Sequence, residues 1–299
     1  MNPAKALSAL VTPPPTPLTT SSETEVARAW LKLFQLESEL RSLNLSTGIR
    51  PLLKEIFRIL AGKGYEAWLP QDVYPVYGEL AKEGDLPFRT FPTYPTLSWE
   101  FLGKTGGKSA LLIPSPLTPA GRYLKAQEAD ILGDWLLEDP ERKLILDTAY
   151  HFETPFDPAT FSLLQKGAFL LYSMTKAWLS PDTLGVAVTS DEFSKVLSPL
   201  LPTPPSASLS IARFRWENSV HLPSMLQEIF KKRWAALENR IRKASPGWSP
   251  PKTGYFSTIS RPAATLLEEH GLLAVPASVF GATEPNESIV TCLHEGVGA

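Results

Sequence analysis

Four apolar, β-favouring runs punctuate the first two thirds of the chain: Ser109-Ala110-Leu111-Leu112-Ile113-Pro114, Leu144-Ile145-Leu146, Ala168-Phe169-Leu170-Leu171-Tyr172 and Leu184-Gly185-Val186-Ala187-Val188. Runs of this kind read as strands buried on both faces. Helical patterns lie between them, Gln127 to Leu137 and 158–166. Strands alternating with helices require a largely parallel sheet with helices on both faces, a three-layer α/β domain. Gly64 to Pro70 and Phe88 to Phe91 add further strand candidates. Ligands in such sheets bind at the carboxyl ends of the strands. Tyr74, Thr118, Asp147, Tyr150 and Lys176 all follow strand candidates at that end.

Outside this region the texture changes. Residues 1–22 are rich in Pro, Thr and Ser and are expected to form a mobile or partner-draped arm. Ser22-x-x-Glu25 has the spacing of a capping box, and Val26, Trp30, Leu33, Leu36 and Leu40 recur at helical spacing. That helix is expected to end near Leu43-Asn44. After the proline cluster at 199–205, a helix over Leu222 to Lys243 presents Leu226, Ile229, Phe230, Trp234, Leu237 and Ile241 on one face. Its basic residues read as a solvated face. A strand around Gly254 to Thr258, a helix over Ala263 to His270, and strands at Leu272 to Pro276 and Ser288 to Leu293 make a small α+β unit. The expected division is an arm over 1–22, a large α/β domain over 23–205 and a small α+β domain with its linking helix over 206–299.

Charge and cysteine usage exclude several classes of function. A formal net charge of −2 gives no electrostatic case for a nucleic-acid or membrane partner. No apolar run has the length of a membrane span, and prolines occupy the place of a signal peptide's apolar stretch. The single cysteine, Cys292, fits a reducing compartment, so a cytoplasmic protein is expected. Gly103-Lys104-Thr105-Gly106-Gly107-Lys108-Ser109 superficially suggests a P-loop. Leu102 stands where its first glycine should be, and a strand rather than a helix follows.

The chemistry gathers around Ser173-Met174-Thr175-Lys176, directly after an apolar strand. A lysine amine must lose its proton before it attacks a carbonyl, which a desolvated site favours. Pyridoxal phosphate requires such a lysine, an acid to keep its ring nitrogen protonated, and a phosphate cradle. Asp147 suits the ring nitrogen, and Tyr150, three residues on, suits the phenolic oxygen. The turn Ser46-Thr47-Gly48-Ile49, opening a helical pattern, aims N–H groups at one point and suits the phosphate, with Ser173 and Thr175 adding hydroxyls. Tyr74 suits stacking on the ring. Each residue alone has a plain structural explanation: Asp147 as a helix cap, Tyr150 as a core tyrosine, Lys176 as a surface residue. His151 reads as a pocket-edge histidine and Cys292 as a buried hydrophobe. The ordered set carries the reading.

That order, a phosphate turn, an aromatic, Thr118-Pro119-Ala120-Gly121, Asp147-x-x-Tyr150 and Ser173-x-Thr175-Lys176, resembles the class I/II aminotransferases, pyridoxal-phosphate enzymes of fold type I. Leu267 to Gly281 looks like the family's small-domain segment, and the likeness spans about residues 45–293. The resemblance implies a Lys176 aldimine, a proton shuttle by the same amine, and a homodimer with sites at the interface. Its expected activity is transfer of an amino group from an amino acid or amine to a 2-oxo acid. A lyase, racemase, decarboxylase or cyclase remains the alternative, and a binding protein without turnover a third. Three departures are visible. Thr118 stands where the family usually has asparagine. The phosphate arginine expected after the lysine is absent from Ser180-Pro181-Asp182-Thr183-Leu184. The arginine expected to hold a substrate carboxylate is replaced near Val290.

Overall fold

The computed structural model describes residues 7, 19–36, 42–73, 75–94, 97–180, 184–282 and 286–293. Its centre is a seven-stranded sheet in the order β1-β7-β6-β5-β4-β2-β3. These strands are β1 (Ser42–Ser46), β2 (Glu66–Pro70), β3 (Phe88–Phe91), β4 (Ser109–Pro114), β5 (Lys143–Asp147), β6 (Phe169–Ser173) and β7 (Gly185–Thr189). The stretch from β3 to β6 in this order is parallel throughout, whereas β7 runs antiparallel to both β6 and β1. The carboxyl ends of the parallel strands therefore share one edge with the amino end of β7.

Both faces are covered, as the apolar runs require. Alternate strand residues such as Leu112, Ile145 and Leu171 face helices α2 (Ile49–Gly62), α3 (Val76–Glu83) and α7 (Asp191–Leu197). Their neighbours Leu111, Ile113, Leu144 and Leu146 face α4 (Ala126–Glu138) and α5 (Pro158–Gln165). Leu170, Tyr172, Val186 and Val188 bury against α1 (Glu23–Leu33), α8 (Ser206–Asn218) and α9 (Leu222–Ala244). Most side chains in these strands are fully buried, each stabilised by roughly 1.5–3 kcal/mol relative to exposure.

The first helix departs from expectation. The capping box forms at Ser22 and Glu25, but α1 stops at Leu33 rather than near Asn44. Gln35 adopts φ 57°, the Leu36 N–H donates to the Leu31 carbonyl at 2.9 Å, and the Gln35 N–H donates to that of Lys32 at 3.2 Å. This is a Schellman closure made without glycine, and it brings Leu36 back onto its own helix. Ser42–Ser46 is then free to become the edge strand β1, with Leu43 opposite Val188. The Leu40 position of the expected helix lies outside the described residues.

A second sheet, β8-β10-β9, is antiparallel and comprises β8 (Phe256–Ile259), β9 (Ala274–Pro276) and β10 (Ser288–Thr291), with α10 (Ala263–His270) beside it. The long helix α9 leads into it. On its polar face Lys231 pairs with Glu228 and Arg242 with Glu238. Of the arm expected over 1–22, Leu7 is buried in the core and the Ser21 N–H donates to Ser210 Oγ at 3.2 Å. Its remaining positions before residue 19 lie outside the described residues. Among the described residues no helix is long and apolar enough to cross a membrane.

Candidate functional site

The register of the sheet decides which side chains meet. Asp147 closes β5 between Pro114 of β4 and Leu171 of β6. Across the other half, Ser46, Gly185 and Ser173 lie in one row. A cavity of about 570 Å³ opens over this edge. Thr47, Gly48 and Ile49 line one wall, Ser173, Thr175 and Lys176 another, and Asp147 and Tyr150 a third. A smaller hollow of about 30 Å³ adjoins it, sharing Tyr77, Asp147 and Tyr150. Thr118 lines that hollow, with Val73, Pro114 and Pro119 from the large sheet side and Phe256, Phe280 and Ile289 from the small unit.

Lys176 is held by its surroundings rather than by a long helix. Ser173 Oγ accepts from the Thr175 N–H at 3.2 Å and caps a single turn, α6 (Met174–Ala177). The turn is clamped behind Lys176. The Trp178 ring is fully buried, its Nε1 donates to Tyr172 Oη at 2.5 Å, and Arg215 Nη1 of α8 donates to the Trp178 carbonyl at 2.5 Å. The Lys176 ammonium lies 5.6 Å from the centroid of the Tyr150 ring. Burial, and secondarily the positive charge of Arg50, push the Lys176 pKa below that of an ordinary lysine. Both effects favour the neutral amine.

Asp147 is held by neutral donors. Tyr77 Oη donates to its Oδ2 at 2.6 Å and the Ala149 N–H to its Oδ1 at 2.9 Å. Burial nonetheless raises its pKa, and the two hydrogen bonds only partly offset that rise. Among the described residues Asp147 and Lys176 form no ion pair, although they share a cavity. At the turn, β7 begins so close to Gly48 that a Cβ on Gly185 would lie 2.4 Å from the Gly48 carbonyl carbon and 2.8 Å from the Ile49 nitrogen.

The expected residues are distributed unequally. Thr47, Gly48, Ile49, Asp147, Tyr150, Ser173, Thr175 and Lys176 line the larger cavity, and Thr118 the smaller hollow, where its hydroxyl donates to the Pro116 carbonyl at 3.3 Å. Ser46 is buried at the end of β1 and is not among the lining residues. Tyr74 lies outside the described residues. His151 is not at the pocket edge. It is buried against Tyr123 and Phe156, and desolvation depresses its pKa to about 3, so its ring is neutral. Cys292 is a buried free thiol, as a small hydrophobe would be.

Two lining residues with polar side chains were not foreseen. Tyr77 sits three residues beyond Tyr74, on the first turn of α3, and a buried Asp147 signals the need for such a donor. Arg50 sits in the first turn of α2, where helices ordinarily favour acids, so a cation there is itself a signal.

The sequence pattern described as "Aminotransferase class I and II" matches residues 11–293. No curated protein sequence matches the chain. Among solved structures, an aminotransferase from Staphylococcus aureus superposes with a TM-score of 0.76 at 17% identity, covering 99% of this chain and 87% of that one. The YbdL protein of Escherichia coli, described as having a methionine aminotransferase function, gives 0.77 at 15% identity, covering 98% and 85%. A putative PLP-dependent β-cystathionase from Corynebacterium diphtheriae gives 0.72 at 11% identity, covering 97% and 84%. At these identities the superpositions establish the fold, the largely parallel sheet of fold type I.

Proposed function

This chain belongs to the class I and II aminotransferases, whose cofactor is pyridoxal 5′-phosphate, and from that premise we propose that it transfers an amino group from an amino acid or amine to a 2-oxo acid. The observation that carries the proposal is the convergence of a desolvated Lys176, a buried Asp147 and Tyr150 on one cavity at the carboxyl edge of the sheet.

The residues fit the cofactor. Among the described residues the donors to the buried Asp147 carboxylate are neutral, so a ring N–H⁺ would supply the cation its burial lacks. Tyr150 and Thr118 carry hydroxyls for the phenolic oxygen. Thr47, Gly48, Ile49, Ser173 and Thr175 supply hydroxyl and backbone donors for a phosphate beside the start of α2. The cofactor supplies a carbonyl for amine capture and an electron-withdrawing ring for breaking a bond at the amine's α-carbon. Lys176 Nζ, whose pKa burial lowers, would hold the cofactor's carbonyl carbon and would move the α-carbon proton. Asp147 would keep the ring nitrogen protonated, held in place by the Tyr77 hydroxyl. Phe256, Phe280 and Ile289 close the hollow with apolar surface and limit water at the reacting carbon.

A second reading keeps the cofactor and changes the bond broken, giving a lyase, racemase, decarboxylase or cyclase. What supports it is that one of the superposed structures is described as a PLP-dependent β-cystathionase. We also propose a homodimer, which light scattering on the purified protein tests. For the reaction, the protein loaded with pyridoxal phosphate is mixed with a panel of amino acids and amines, and its absorbance followed. Conversion to the pyridoxamine form, reversed by a 2-oxo acid, is the expected result. Turnover with the aldehyde form regenerated supports the second reading. Borohydride treatment should fix the cofactor on Lys176, as peptide mapping would reveal, and a label elsewhere would refute the assignment.

A further inference from the structure

The turn that opens α2 places a positive charge where helices disfavour one. Arg50, an exposed residue, occupies the second helical position, at the end where the helix dipole is positive, and the first turn holds no acid. Its side chain lines the same cavity as Lys176 and adds to the field at the Lys176 amine. An anion at the start of α2 would be stabilised by the Arg50 charge and by the helix N–H groups. No other basic residue follows nearby, since the chain from Ala177 to Val188 contains neither lysine nor arginine. On that side Gly185 packs directly on Gly48, leaving the β7 wall of the turn as bare backbone.

We propose that the Arg50 guanidinium neutralises the cofactor's phosphate and makes the site selective for the phosphorylated form of the cofactor. The inference rests on the cofactor reading given above. Thr47, Ser173 and Thr175 offer neutral hydroxyls, which orient a phosphate but do not balance its charge. An arginine adds a planar fork matched to two phosphate oxygens and stays charged at every working pH. The charge thus reaches the site from the amino end of a helix in place of the segment after the lysine.

Equilibrium titration of the wild type, Arg50→Gln and Arg50→Lys with pyridoxal phosphate, and separately with pyridoxal, tests this, read from visible absorbance and tryptophan quenching. Arg50→Gln should bind pyridoxal phosphate roughly 10- to 100-fold more weakly, as loss of a charged hydrogen bond predicts. Its affinity for pyridoxal should fall far less, only by as much as the higher Lys176 pKa disfavours the free amine, and Arg50→Lys should recover part of the loss. Melting of the apo variants checks that they fold. Equal losses for both ligands would make Arg50 merely structural and overturn the proposal. An unchanged affinity for pyridoxal phosphate would also overturn it, including the case where only the KM for amino acids rises, which would assign Arg50 to a substrate carboxylate. A wild type that binds neither ligand would refute the cofactor reading itself, an outcome distinct from the other two.

Discussion

Gly185→Ala is the sharpest test of how the site is built. The added methyl would lie 2.4 Å from the Gly48 carbonyl carbon, 2.5 Å from its oxygen and 2.8 Å from the Ile49 nitrogen, against ordinary contact from 3.4 Å. Relief requires the turn to move by 3.4 − 2.8 = 0.6 Å to 3.4 − 2.4 = 1.0 Å relative to β7. Overpacking of this kind costs about 1–3 kcal/mol. In thermal melting of the apo protein that is roughly 2 to 12 °C, at about 2–4 °C per kcal/mol. The same displacement would carry the Gly48 and Ile49 N–H groups away from the phosphate they are proposed to hold. Losing a charged hydrogen bond there weakens the cofactor by about 10- to 100-fold.

Melting with and without cofactor separates the two effects. At free pyridoxal phosphate 100 times the wild-type Kd, binding adds about 2.7 kcal/mol to stability. A Kd weakened 100-fold leaves about 0.4 kcal/mol, from RT ln 2. Gly62→Ala, where the added methyl meets nothing within 4 Å, serves as the control and should change neither quantity adversely. A wild-type apo Tm together with a wild-type response to cofactor would refute the close approach of β7 and the turn. An apo loss with a full cofactor response would mean that β7 yields, and not the turn.

Further expectations follow from the charges. Asp147 has a raised folded pKa, so the fold binds its proton more tightly than the unfolded chain does, and apo stability falls as pH rises from the ordinary carboxylate range through the raised value. Urea melts should show this slope flattened in Asp147→Asn and extended to higher pH in Tyr77→Phe, which lacks the hydrogen bond that lowers the pKa. Lys176 has the opposite sign: its depressed pKa makes the protonated form unfavourable in the fold. Lys176→Met should therefore be more stable than wild type as apo protein near pH 7, with the gain shrinking toward pH 10 in the same melts, while covalent capture of the cofactor is lost. Arg215→Leu removes the donor to the Trp178 carbonyl behind Lys176. It should cost about 1–3 kcal/mol in denaturant unfolding and weaken cofactor capture without touching the cavity.

The parallel core was legible because its strands are apolar on both faces, and that pattern has few alternatives. Helices with strong periodicity were equally legible, α9 and α10 falling almost on their expected bounds. The misses share a physical cause. Residues 42–46 looked like the end of a helix because the apolar spacing of α1 continues past its real end. What stops α1 is a backbone closure at Gln35, a residue with no special sequence signature for φ above zero. Helix α8 was not read at all, because its buried side includes Ser208, Ser210 and Arg215, which break an apolar stripe. Within the site, Lys176, Asp147 and Tyr150 were visible as an ordered set. Tyr77 and Arg50 were not, since their roles arise from tertiary approach to residues far along the chain. Ser46 shows the converse: its position in a promising turn suggested a ligand, yet it is fully buried as the last residue of β1 and is not among the residues that line the cavity.

The two central charges also explain why this edge of the sheet would be poised for a ligand. Burial works against ionisation of both groups, raising the pKa of Asp147 and lowering that of Lys176. Placed side by side, an acid and a base in one cavity would neutralise each other and relieve both costs. The strand register sets Asp147 opposite Leu171 and leaves Lys176 five residues further on, on α6; among the described residues no ion pair joins them, and Tyr77 donates to the Asp147 carboxylate. A ligand with a cationic ring nitrogen at Asp147, a carbonyl at Lys176 and an anion at the α2 turn would relieve each strain separately. Stability of the apo protein is thereby traded for affinity, and the double variant Asp147→Asn, Lys176→Met should melt higher than either single variant without cofactor. If the two gains failed to appear together, the two groups would already be compensating each other in the free protein, and the separation drawn from the strand register would be wrong.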